Sequence, residues 1–332
     1  MAANWMRRTL LTATACASVA LLAACGSSST ANPIKPDKII TFGDAMSDLG
    51  QNPNGLAYSV TDGVTPNNWT RQVAYRYDLT LNPAKSGGSA YAQGNARVAL
   101  PDATGVTNAP SITAQIDSYL AANPTFGDKQ FVLVSGGMSD VIAGYNDVLA
   151  GNKAVDAYLA DMEAAGQQLS DQVRRLHNAG APRVLAIGTP NVARTLWAKR
   201  MDAAKPDADP KPTKVLEDAT NAFNRKLLSS MKDLSGTRVL FADVQYYFNG
   251  MTGNPGNYNF SNGDDPICNS IDPSNGINIG TGQINASMCT DKTLVVESSK
   301  LRQYLFADLV NYTPHAHIQF GDWVYDRMKA NW

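Results

Sequence analysis

Apolar positions along this chain follow two alternating rhythms. Short β-branched or apolar runs, Ile39-Ile40-Thr41-Phe42, Leu79-Thr80-Leu81, Phe131-Val132-Leu133-Val134, Val184-Leu185-Ala186-Ile187 and Val239-Leu240-Phe241, predict buried strands. Between them Leu159, Met162, Leu169, Val173 and Leu176 keep helical spacing, as do Leu216, Phe223, Leu227 and Met231. Gly180 and Gly236 lie just past these two helices, where a chain leaving a helix commonly needs a positive φ. Thr313-Pro314 reads as a cap and first helical position, with Ile318, Phe320, Val324 and Met328 marking a closing helix. Strand alternating with helix implies an α/β fold, a parallel sheet covered on both faces.

Two stretches break the rhythm. From Asn249 to Ser299 the chain is rich in Asn, Gly, Asp and Ser, too long for a connection unless something organises it. The N-terminus carries Met6-Arg7-Arg8, an apolar run from Thr9 to Ala24, and Leu22-Ala23-Ala24-Cys25, which reads as an export signal. Small residues leading into a cysteine resemble the lipobox of bacterial lipoproteins, which makes Cys25 the lipidated residue. An ordinary signal peptide cut near Ala24 and an uncleaved anchor helix are the alternatives, although the run is short and rich in Ala and Thr for a membrane span. Residues 1–25 are thus expected to be signal and lipobox, 26–37 a flexible tether with no apolar periodicity, and 38–332 one domain. Gly26 after the lipidated cysteine fits sorting to the outer membrane, as lipoprotein resemblance implies.

Composition narrows the partners. Of 332 residues 44% are hydrophobic and 17% charged, enough to bury a sizeable core. With 28 Lys plus Arg against 29 Asp plus Glu and no basic stripe, no nucleic-acid partner is expected. Cys16 leaves with the signal and Cys25 carries lipid, so Cys268 and Cys289 remain and an oxidising compartment predicts a disulfide between them. Two free thiols or a metal pair are the alternatives, but neither cysteine has a second ligand at a metal-binding spacing, and no metal or other cofactor is expected.

Ile39 to Phe42 runs directly into Gly43-Asp44-Ala45-Met46-Ser47-Asp48-Leu49-Gly50, a turn and a predicted helix start. Further on come Gly87-Gly88-Ser89-Ala90-Tyr91-Ala92-Gln93-Gly94, then Gly137-Met138-Ser139-Asp140 after a strand. Asn178-Ala179-Gly180-Ala181-Pro182-Arg183 precedes a strand ending in Thr189-Pro190-Asn191, and Asp308-Leu309-Val310-Asn311 leads into the closing helix. Each block is weakly specific; in this order, from about Lys38 to the C-terminus, they resemble the GDSL (SGNH) hydrolases, the lipases and esterases that cleave carboxylic esters. The resemblance implies a three-layer α/β/α sandwich with a flavodoxin-like parallel sheet and a ligand site outside the C-terminal strand ends.

That family's chemistry needs a serine at the strand-to-helix turn, a histidine to take its proton, an aspartate to orient the histidine, and donors for the oxyanion. Here Ala45 occupies the nucleophile position and Asn311 the histidine position, while Asp308 is retained. Gly94, through its N–H, and Ser139, in place of an asparagine, occupy the oxyanion positions. A methyl cannot attack a carbonyl and an amide cannot shuttle protons; losing the nucleophile costs roughly a millionfold in turnover in a serine protease. Ser47 lies two positions from Ala45 and should face elsewhere on a helix; His315 and His317, also two apart, cannot both face one site, and His177 suits a helix C-terminus. The expected function is a membrane-anchored, catalytically impaired module that binds an acyl ester, a lipid, an acylated glycan or a protein partner. The alternative is an active esterase working through a non-standard nucleophile such as Ser47.

Overall fold

The structure, a computed structural model, describes residues 34–332 other than 235 and 237. The signal, the lipobox with Cys25, and most of the expected tether lie outside the described residues. Lys35–Trp332 forms one compact unit. It is an α/β fold around a parallel sheet of four strands in the order β1 (Lys38–Phe42), β2 (Gln130–Ser135), β3 (Arg183–Ile187) and β4 (Val239–Phe241). Ile39 stands opposite Phe131, Phe131 opposite Arg183, and Val184 opposite Val239. In β1, β2 and β3 every residue after the first is buried. Successive strand side chains point to opposite faces, so unbroken burial means both faces are covered.

Helices between and after these strands supply the cover. They are α1 (Trp69–Arg76), α2 (Ile112–Ala122), α3 (Met138–Leu149), α4 (Val155–Asn178), α5 (Leu196–Ala204), α6 (Pro212–Ser230), α7 (Val244–Gly253) and α8 (Pro314–Asn331). The expected stripe on α4 is buried at Met162, Leu169, Val173 and Leu176 but shared with Tyr158, while Leu159 is only half-buried. The helix ends before Gly180, which takes φ +93° as its position predicted. On α6 the face Leu216, Phe223 and Leu227 is buried, and α4 packs along α6 as α1 packs along α8. Fully burying a side chain the size of Phe223 stabilises by about 1.5–3 kcal/mol. The closing helix begins at Pro314 with Thr313 as its cap residue.

Two expected elements are not there. Leu79-Thr80-Leu81 is not a strand: the Leu79 amide bonds back to Ala74 O at 2.9 Å and closes α1 instead. The outer edge of β1 is taken by Ser89–Tyr91, where Thr41 N donates to Ser89 O at 3.0 Å and Tyr91 N to Thr41 O at 2.8 Å. Nor does a helix follow Ala45, because the turn Ala45–Ser47 is a single 3₁₀ turn. Asp48 stops it by accepting the amides of Gly50 and Gln51 at 2.8 and 2.7 Å, and Gly50 has φ +101°.

The Asn- and Gly-rich stretch is organised by a small core of its own. Strand β5 (Asn262–Pro266) pairs in parallel with β6 (Tyr304–Phe306). Cys268 and Cys289 form a disulfide and pack with Val60, Ile267, Ala286, Leu301 and Ala307. The crosslink expected from cysteine usage is present.

Candidate functional site

Parallel strands leave a crevice beyond their C-terminal ends, and the segments leaving β1 and β2 meet there. Asp44, immediately after β1, accepts Met46 N through Oδ1 and Met138 N through Oδ2, both at 3.2 Å, so one buried carboxylate ties the β1 turn to the start of α3. Gln115 of α2 holds Gly43 from both sides, accepting its N–H and donating to its carbonyl at 2.9 Å each. Phe223 supports the floor: a Cβ on Gly137 would lie 2.6 Å from its ring, so only glycine lets α6 approach the turn before α3.

A cleft opens above this floor, lined by Ala45 from the β1 turn, Met138 and Ser139 from α3, and Val310 and Asn311 from the block before α8. The cleft is narrow and partly open to solvent. Three positions singled out in the sequence, Ala45, Ser139 and Asn311, therefore border one space. Ser139 is half-buried and its hydroxyl has no protein partner among the described residues.

Asp308 lies behind Asn311. Its Oδ1 accepts Val310 N at 2.7 Å and Asn311 N at 2.6 Å; its Oδ2 accepts Ala286 N at 2.8 Å and Asn311 Nδ2 at 2.9 Å. The side chain at position 311 is thus oriented by the carboxylate three residues earlier, but what it carries is an amide, with no proton to exchange. Burial pushes the Asp308 carboxyl above its ordinary value, against these four hydrogen bonds.

Gly94 departs from its expected role. Its N–H donates to Asp48 Oδ2 at 2.8 Å, and a Cβ built on it would strike the ring of Tyr58. The amide serves to fix Asp48 and does not line the cleft. Ser47 faces away, as expected: it is buried, 2.6 Å from Ser135 Oγ and 3.1 Å from Trp69 Nε1, which donates to it. The alternative nucleophile is therefore held inside the core by two partners. His317 is also buried; its Nδ1 accepts Trp69 N, and burial lowers its pKa to about 3, leaving it neutral. His315 is half-buried against Phe260 and depressed by burial and then by Arg302. His177 lies in the last turn of α4. None of the three histidines lines the cleft.

Buried carboxylates dominate the electrostatics. Burial pushes Asp44 up to about 6, opposed by the amides of Met46 and Met138. Asp48 and Asp140 are raised by burial as well, with Arg97 pulling Asp140 back. Sequence reasoning passed over Tyr58, Asn95, Arg97, Asp102, Ile277 and Asn278, all of which border the cleft. Arg97 had a readable signal, standing three residues beyond Gly94; Ile277 and Asn278 had none inside the polar stretch. Among the described residues no group of three or more His, Cys, Asp or Glu could hold a metal, and no helix is long and apolar enough to cross a membrane. Compared with known proteins, the chain matches no family model and no curated protein.

Proposed function

We propose that this chain is an esterase-like binding module: a GDSL/SGNH-type domain that keeps the cleft of a carboxylester hydrolase while lacking its nucleophile and base. The observation that carries this reading is the convergence of Ala45, Ser139 and Asn311 on one narrow cleft, with Asn311 tethered to Asp308. In that reading the order Ser89–Tyr91, β1, β2, β3, β4 is the flavodoxin-like arrangement of a three-layer α/β/α sandwich. The ligand is an acyl ester, a lipid or an acylated glycan. Cys25 anchors the module by lipid to the bacterial envelope, at the outer membrane.

Hydrolysis of short- and long-chain nitrophenyl esters by the natural protein and by the Ala45→Ser, Asn311→His double variant tests this. Silence from the natural protein with turnover in the variant is the expected result, since serine and histidine would then border the cleft beside Asp308. Turnover by the natural protein would overturn the reading.

A further inference from the structure

The cleft carries a charged group that the binding reading leaves unused. Arg97 borders it, and its Nε donates to Asp140 Oδ1 at 3.3 Å. Asp140 is 1% exposed and accepts Val98 N through Oδ2 at 2.9 Å, so the guanidinium is held from behind by a fixed, buried carboxylate. Neither terminal nitrogen of Arg97 has a protein partner among the described residues. A guanidinium offers a planar fork matched to the two oxygens of a carboxylate, and a neutral carbonyl fills only part of it.

The charges around Arg97 are mixed. The first turn of α3 borders the same space through Met138 and Ser139, but its partial positive charge is already met by Asp44, which accepts the Met138 N–H, and by Asp140. The other carboxylate on the cleft, Asp102, is held in place, Oδ1 accepting Thr104 N and Oγ1 at 2.8 Å each and Oδ2 accepting Thr107 Oγ1 and Ala109 N, and its negative charge opposes an anion. Asp140 cancels the net charge of Arg97, so recognition rests on directed bonds more than on field. The remaining lining is apolar at Ala45, Ile142, Ile277 and Val310, and the space is narrow.

We propose that the cleft binds the carboxylate of a short-chain organic acid, with Arg97 reading the anion and the apolar lining taking a chain of a few carbons. This deepens the binding reading above and rests on it. The full chain is titrated calorimetrically with butyrate, butyramide and methyl butyrate. Butyrate is expected to saturate and to bind at least about tenfold more tightly than either neutral probe. In the Arg97→Gln, Asp140→Asn double variant, which removes the pair together and leaves no lone buried charge, that preference disappears. Equal binding of all three probes by the natural protein, or an unchanged preference in the variant, overturns the assignment while leaving the binding module intact. Binding of none also overturns the assignment, while the binding module itself falls only if the natural protein turns over nitrophenyl esters. The comparison of probes uses the natural protein, so it stands whether or not the variant folds.

Discussion

Ala45, Met138 and Ser139 reach the cleft from the ends of β1 and β2, whereas Ile277, Asn278, Val310 and Asn311 reach it from a stretch with little regular structure. The first wall inherits its position from β1 and β2, hydrogen-bonded strands that are buried on both faces. The second is held by a disulfide and by single polar bonds between residues far apart in sequence. Asn95 Nδ2 donates to Gly276 O and Asn146 Nδ2 to Asn278 O, each at 2.7 Å, and Ala286 N donates to Asp308. One site therefore combines a wall that is rigid because the core demands it with one that is rigid because particular bonds happen to close.

The largest expected effect comes from removing the floor of the sheet wall. Phe223→Ala should lower global stability by about 3–5 kcal/mol, read from denaturant unfolding, since the ring fills the space against Gly137. A loss below about 1 kcal/mol would mean that this wall does not depend on α6. Next, replacing Cys268 and Cys289 by serine should cost about 3 kcal/mol by freeing a loop with a sequence separation of 21. Hydrogen exchange should quicken over 262–303 while β1 to β3 keep their protection; equal loss across the sheet would show that the walls fold as one unit.

The last effect is a pH slope. Asp44 has its folded pKa raised from 3.8 to about 6, so the folded state binds its proton more tightly than the unfolded state does. The stability it contributes is fully present below about pH 3.8 and is lost as pH rises through about 6, at no more than about 1.4 kcal/mol per pH unit. Asp44→Asn should flatten unfolding free energy between these limits, and an unchanged slope would assign it to Asp48, Asp140 or Asp308, which are raised by burial in the same direction.

The same contrast explains what could be read from the sequence. β1 to β3, α4, α6 and α8 follow from apolar period alone, because their burial is unbroken or falls on one stripe, whereas β4 forms where its apolar run predicts but is only half-buried. Ala45, Ser139 and Asn311 could be expected together only through the resemblance to the GDSL hydrolases, because apolar period places the elements beside them and not their convergence. Leu79–Leu81 misled because three residues of strand composition cannot show whether the edge of β1 is already taken, here by Ser89–Tyr91. Gly94 misled because its amide answers to Asp48, 46 residues earlier, and nothing local records that bond. Ile277 and Asn278 were invisible for the same reason, their position being set by Asn95 and Asn146 across the fold.

Tyr58 borders not only this cleft but also a second one lined by Asn54, Asp272 and Ser287. Its ring is 2% exposed and is backed by Gly94, where a Cβ would come within 2.0 Å of it. The phenol ring therefore stands on the border of both spaces with no room behind it. A side chain at position 94 would drive that ring into the spaces it borders, so glycine there keeps both of them open.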